Sequence, residues 1–351
     1  MKPVVSVIIA THNEAQNLAN CLEALTWQDY PADKFELVVV NDRSTDATAA
    51  VLSQWSSRFS RFRTATIYAT PASIAPKKYA LKKGIEVSCN EILCFTDADC
   101  QPPAHWLSDL TAEFTQDVGM VVGLAPLTTA VSAAPPLWQK LLVYESWLNN
   151  LFALAAIRQG FPLSCTGRNL AYRKTAFNQI QGFNEIAHSL SGDDDLLMHL
   201  IQKKTSWQIA AMADSEAAVT SKTVGSLRQL WTQRTRHFST GKYYPIEKKL
   251  FYLIWHGTTI LLTLMPILAL AIPALSFWFA VQMLAIKWVA DFIFHWLVFK
   301  RNGQLHLLKY FIPFELINPI YLLIVGTIGW FKPPQWQVSD AKKLPSETGD
   351  L

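Results

Sequence analysis

Residues 250–286, 37 in number, carry no formal charge and are closed by Lys248-Lys249 on one side and Lys287 on the other. No other feature limits the fold so tightly, because an uncharged run of this length points to lipid as its surroundings. Pro273 interrupts it within the turn-like Ala-Ile-Pro-Ala-Leu-Ser. Two helical spans are therefore expected, at about residues 250–271 and 275–298, each reaching the roughly 20 residues that cross a bilayer. A third apolar stretch, residues 310–331, contains Pro313, Glu315 and Pro319. It reads as a further span, or else as a re-entrant or interfacial helix.

The two ends of the chain differ in charge. Residues 1–230 hold 19 Lys+Arg and 21 Asp+Glu, a net of −2, whereas residues 231–351 hold 12 and 6, a net of +6. An ordinary, slightly acidic part joined to an apolar, basic part describes a soluble domain on a membrane anchor. It argues against disorder, a disulfide-stapled secreted fold and a nucleic-acid binder. Cys21, Cys89, Cys94, Cys100 and Cys165 are odd in number and form no Cys-x-x-Cys pair, so reduced thiols are expected.

Arg228, Arg234, Arg236, Lys242, Lys248 and Lys249 precede the first span, and Lys300, Arg301 and Lys309 follow the second. The positive-inside rule sets both segments in the cytoplasm. The opening MKPVVSVIIATHNE lacks the parts of a signal peptide, which agrees. The expectation is an integral protein of the inner (plasma) membrane with its soluble domain cytoplasmic. The divisions expected are 1–230, a soluble domain; 231–249, a basic juxtamembrane segment; 250–331, two to three transmembrane helices; and 332–351, a tail. Within the second span Lys287, Asp291 and His295 share one helix face, which reads first as a self-neutralising pair and second as a polar wall for a headgroup or glycan.

In the soluble part three apolar runs, at residues 4–10, 37–40 and 92–96, each end in polar residues: Thr11-His12-Asn13-Glu14, Asn41-Asp42 and Asp97-Ala98-Asp99. A helical pattern over residues 15–27 lies between the first two. Near-continuous apolar strands alternating with helices indicate a doubly wound, mainly parallel α/β sheet, which binds ligands outside the carboxyl ends of its strands. Asp42 and Asp46 open a turn, where capping is the ordinary role of an aspartate. Asp97 and Asp99 suit Mg2+ or Mn2+ shared with substrate phosphates, although turn-forming explains most such pairs. Gly192-Asp193-Asp194-Asp195 precedes a helical pattern, and three acids exceed what a cap needs, so a general base would account for one. Lys77, Lys78, Lys82 and Lys83 are candidates to attract an anion, the last two reading better as a solvated face. Leu137, Leu141, Leu148, Phe152 and Ala155, with Trp138 and Trp147, mark a core helix or one lying at the membrane interface.

Eight segments in order carry a resemblance: VSVIIATHNE, VVVNDRSTDAT, APKKYALKKGI, FTDADCQPPAHWL, TGRNLAYRKTAF, QGFNE, SGDDDLLMHLI and QRTRHFSTGKYY. Over about residues 4–244 the chain resembles a membrane-anchored family 2 glycosyltransferase. The resemblance implies a GT-A nucleotide-sugar-binding fold (Rossmann-like) and an inverting, metal-dependent transfer from a nucleoside diphosphate sugar, with UDP as the carrier. It implies that Asp42 binds base and ribose, with Asn41 replacing the first acid of the family's pair, and that Lys77 lies near the nucleotide. Asp97 would meet the donor sugar or ribose, and Asp99 the metal, Mg2+ or Mn2+. Gly167 and Asn169 would line the donor-sugar and acceptor region. Asp194 would be the base, beside Asp193 where Glu is more usual. Gln233 and Arg236 fit the Gln-x-x-Arg-Trp motif of processive synthases, but His237 replaces the Trp.

The expected function is transfer of one sugar to a lipid-linked or membrane-proximal glycan, with membrane lipids as partners and no nucleic acid. A processive polysaccharide synthase is the alternative, followed by a non-catalytic membrane binding or transport subunit.

Overall fold

A computed structural model of the protein describes residues 2–129, 134–212 and 217–331. The expected tail at 332–351 lies outside the described residues. Ten strands follow in chain order: β1 (Val5–Thr11), β2 (Phe35–Asp42), β3 (Phe62–Ile67), β4 (Ile92–Phe95), β5 (Cys100–Gln101), β6 (Val118–Val122), β7 (Leu127–Thr128), β8 (Leu170–Arg173), β9 (Gln208–Ala211) and β10 (Thr220–Lys222). Seven of them form one sheet in the order β3-β2-β1-β4-β8-β6-β9. β3, β2, β1 and β4 run parallel, β8 runs antiparallel to both β4 and β6, and β9 is parallel to β6. A small second sheet, β5-β10-β7, stands at the end of β4.

β1, β2 and β4 are largely apolar because both faces of the sheet are covered there, whereas the edge strand β3 is mostly exposed. Val5, Val7 and Ile9 of β1 face one layer, with Leu37 and Val39 of β2. There they meet Leu18, Leu22 and Leu25 of α1 (Ala15–Thr26). α2 (Thr48–Trp55) packs nearby through Leu52. On the other face, Ile8 and Val38 meet Leu81 and Ile85 of α3 (Pro76–Val87). The alternation follows from the two-residue period of a strand. α4 (Trp106–Ala112) adds Trp106, Leu107 and Leu110 to the first layer. The second layer takes Leu154 and Ile157 of α5 (Leu137–Arg158), Phe177 of α6 (Lys174–Gln179), and Leu196, Leu197 and Ile201 of α7 (Asp195–Lys204). The α/β class read from the strand pattern is the fold observed, and β1 is the switch point where chain order reverses between β2 and β4.

α8 (Leu227–Thr240) leads to three apolar helices. These are α9 (Ile246–Ala271), α10 (Phe277–Arg301) and the stretch Leu305–Phe331, all long and apolar enough to cross a membrane. The first begins four residues before the charge-free run, taking Lys248 and Lys249 into its first turns. Lys248 is buried over the Phe161 ring, 3.3 Å from its centroid, and Arg234 pairs with Glu145. Two of the six expected juxtamembrane cations are thus turned into the protein. The third stretch is continuous, made of a tight helical turn at Leu305–Tyr310, α11 (Phe311–Tyr321), a wider turn at Leu322–Gly326 and α12 (Thr327–Phe331). The wide turn follows Pro319, whose ring and missing N–H break the regular ladder.

α5 packs as a core helix, against the sheet and against the apolar helices. Its C-terminal half packs on the sheet, while Leu141 and Tyr144 contact Phe299 and Phe314 of the apolar bundle. Phe152 stacks with Phe251 of α9, at 6.1 Å between ring centroids. In the bundle Lys287 bonds Asp291 at 2.6 Å and Glu315 at 2.5 Å, while the Tyr144 hydroxyl and His295 Nδ1 share a bond of 2.7 Å. The face predicted from Lys287, Asp291 and His295 is therefore satisfied by ion pairing and by α5.

Candidate active site

A cleft of about 590 Å³ opens at the carboxyl ends of β1, β2 and β4, between the sheet, α5 and α8. It collects Asp42, Lys77, Asp97, Asp99, Gly167, Asp193, Asp194, Gln233, Arg236 and His237. Asn169 lies elsewhere. It is fully buried beneath the cleft, accepting from Trp106 Nε1 at 2.9 Å and donating to the carbonyls of Leu124 at 2.9 Å and Ala217 at 3.2 Å.

At the strand ends two non-glycine residues take left-handed backbone, which asparagine tolerates better than arginine. Asn13, after β1, has φ of 57°, and its side chain accepts from Thr45 N at 2.8 Å. Arg43, after β2, has φ of 55°, and its guanidinium folds back on the Asp42 carboxylate at 2.8 Å. The Asp42 carbonyl accepts from His12 Nδ1 at 2.5 Å. Asp46 is the turn former expected, accepting from Thr48 N at 3.0 Å and Ala15 N at 3.1 Å.

Lys77 bridges Asp97 at 3.0 Å and Asp193 at 3.2 Å, joining the β4 end to the α7 loop. Burial works against the lysine charge, but Asp193, Asp97 and Asp194 overcome it and hold the ammonium above its ordinary pKa. Asp193 is likewise held ionised, since Lys77 and Lys78 outweigh its burial. Lys78 corrects the sequence reading: it points away from the cleft, is 1% exposed and donates to the carbonyls of Ser189 at 2.6 Å and Ser191 at 2.7 Å. It fastens the loop carrying the acids. Lys83 pairs with Glu86 on a solvated face, as expected.

Gly192, with φ of +85°, lets that loop turn into α7. Asp194 caps the helix, accepting from Asp195 N at 2.8 Å, and its other oxygen accepts from Gly167 N at 2.9 Å. Burial, then Asp195 and Asp193, push its carboxyl up to about 8. Asp195 accepts from the Tyr244 hydroxyl. Asp99 reaches into the cleft, its pKa raised by crowding from the protein and by Asp97. His237 is exposed at the cleft, where crowding by the surrounding protein, then the charges of Arg236, Arg234, Arg168 and Lys77, lower its pKa and favour the neutral ring. The cleft therefore has an acidic floor and a cationic wall. Thr11 and Thr166 hydroxyls in its lining have no partner among the described residues.

Arg168 and Tyr244 were missed by the sequence reading. Arg168 is held by the Ala125 carbonyl at 2.6 Å and by Ser221 Oγ, so its place depends on β10, a three-residue strand with no sequence signature. Tyr244 lies at the edge of the QRTRHFSTGKYY segment, and only its approach to Asp195 marks it.

The donor set suits a hard divalent ion. Among the described residues no three metal-ligating side chains cluster, and Asp97 and Asp99 present oxygen alone. Mg2+ and Mn2+ sites of this kind take one or two carboxylates and complete their shell with substrate phosphates and water.

Residues 6–181 match the family model for glycosyl transferase family 2. The chain belongs to that family. It is 40% identical over 105 residues to the glycosyltransferase AglE of Haloferax volcanii, covering 30% of this chain and 33% of that one. It is 25% identical over 235 residues to a beta-monoglucosyldiacylglycerol synthase of a Nostoc species, covering 67% and 48%. These matches span a third to a half of the relatives' own length. The mannosyltransferase PcManGT of Pyrobaculum calidifontis, solved with GDP-Man and Mn2+, aligns with a TM-score of 0.57 at 19% identity over 94% of this chain and 88% of its own. That likeness is one of fold, the GT-A fold.

Proposed function

We propose that the protein transfers one sugar from a nucleoside diphosphate sugar, UDP-linked, to a hydroxyl of a lipid-linked or membrane-proximal glycan. The transfer would invert the anomeric configuration and use Mg2+ or Mn2+. One observation carries the reading: acids from the ends of β2 and β4 and the start of α7 share a single cleft with Arg236, and two of its walls, α5 and α8, rest on the apolar helices. Residues 1–230 form the catalytic domain in this reading, 231–249 a junction that lends Gln233, Arg236 and His237 to the cleft, and 250–331 the anchor, with the cleft on the cytoplasmic side of the inner membrane.

Asp42 takes the ribose and base, as its burial at the end of β2 suits. Asp99, with Asp97 beside it, holds the metal, which when bound supplies positive charge to the departing diphosphate. Arg236, Gln233 and Lys77 face the same diphosphate from the cationic wall. Gly167 and Asp193 border the donor sugar, and neutral His237 leaves the wall without the Trp ring that the family's processive motif carries. Asp194 removes the acceptor proton as the hydroxyl oxygen bonds to the anomeric carbon. The carbon–phosphate oxygen bond breaks, and its electron pair leaves on the diphosphate. An Asp194 carboxyl with a raised pKa is well matched to accepting that proton.

The test is a screen of activated sugars, varying base and sugar, with either metal and membrane lipids, reading nucleoside diphosphate release and product length. Release that depends on donor, metal and lipid, with one sugar added, supports the reading. Long polymer from donor alone would replace it by the processive alternative.

A further inference from the structure

α8 presents two faces. Gln233, Arg236, His237 and Thr240 line the cleft from one side of the helix, with Arg234 at the margin of the same cleft, while Thr235 and Phe238 fall on the other side. The second side lies against the third apolar stretch. At Gly329 a Cβ would come within 2.6 Å of Phe238 Cβ and 2.8 Å of the Thr235 carbonyl oxygen. Both obstacles belong to or adjoin the α8 backbone, so no side-chain rotation relieves them. Gly326 lies nearby, where a Cβ would meet the Phe238 ring at an ordinary 3.6 Å, and the Phe238 and Tyr321 rings are 6.3 Å apart. Small residues allow this kind of close helix approach within membranes. From the α5 side, the largely buried Glu145 accepts from Arg234 at 2.6 Å.

We propose that Gly329 and Glu145 are positioning residues that seat α8 from two sides and so aim Gln233, Arg236 and His237 at the donor. The inference rests on the donor role proposed for that helix face. It makes the third apolar stretch part of the apparatus that sets site geometry as well as an anchor. A small displacement of groups that hold a reacting substrate is costly, on the order of tenfold to a hundredfold in rate.

The test uses the full chain in lipid nanodiscs. Kinetics of nucleoside diphosphate release and hydrogen exchange across Leu227–Thr240 are measured for Gly329→Ala, Glu145→Arg, Arg234→Glu and the double exchange Glu145→Arg/Arg234→Glu. Gly257→Ala is the control, because a Cβ there meets nothing within 4 Å. Gly329→Ala and the two single charge variants should remain folded, exchange faster across α8 and lose about tenfold or more in kcat/KM for the donor. The double exchange should recover most of the loss, and the control should match the parent. Unchanged exchange and turnover in Gly329→Ala, or a double exchange no better than either single variant, would overturn the proposal. Arg236→Ala with full turnover would instead reject the donor role of that residue, while the exchange data still decide the seating.

Discussion

At Asp194 two demands meet, since one carboxylate both caps α7 and faces the cleft. Capping favours the ionised form, but burial and the neighbouring Asp195 and Asp193 oppose it more strongly and bring the pKa to about 8. A base works only when deprotonated, so kcat/KM for the free enzyme should fall about tenfold per pH unit below that value. Asp195→Asn removes the nearest negative charge and keeps an acceptor for the Tyr244 hydroxyl. The acid limb should then move to lower pH, and a profile that stays in place would contradict the assignment of the base. The three-acid run was visible in the sequence because it exceeds what a cap needs. Which acid pairs with Lys77, which with Tyr244 and which remains for a proton was not visible, because each answer depends on a side chain from a distant segment.

Burial alone did not make an element legible: β6 is buried throughout and was not read, whereas the exposed apolar helices were. β1, β2 and β4 are covered on both faces, so their apolar runs announced them, and their ends announced the cleft. β5, β7 and β10 have two or three residues and no period to detect, yet β10 holds Ser221, which fixes Arg168. The helix face Lys77-Lys78 misled for a related reason: adjacent residues on a helix point in different directions, and only the first reaches the cleft. Lys78 has become a fastener for the loop before α7. Lys78→Met should strip the buried Ser189 carbonyl and the half-buried Ser191 carbonyl of their donor and cost on the order of 3 kcal/mol. Thermal unfolding would show the loss, and hydrogen exchange should rise first in the segment around Ser189 and Ser191. Exchange unchanged there would contradict the fastening role.

Across the whole molecule, the apolar bundle and the catalytic part are joined by contacts that charge and aromatic rings make specific. Lys287 satisfies two carboxylates at once, and the His295–Tyr144 bond carries the connection to α5, one wall of the cleft. Lys287→Met leaves Asp291 and Glu315 uncompensated and should destabilise the protein by about 3–5 kcal/mol, with part of that recovered in Lys287→Met/Asp291→Asn/Glu315→Gln. Equal melting of the single and triple variants in detergent would show that the cluster is not a lock. The sequence disclosed the apolar helices and one face of this cluster. Glu315 as the second partner required the third stretch to fold back against α10. The central claim is that acids from three separated segments work as one sugar-transfer site. The most direct measurement of it is the single-turnover rate of nucleoside diphosphate release by the full-length Asp194→Asn protein, with donor binding followed in parallel. The account predicts donor binding close to the parent and a rate lower by roughly a hundredfold or more. A near-parental rate would contradict it.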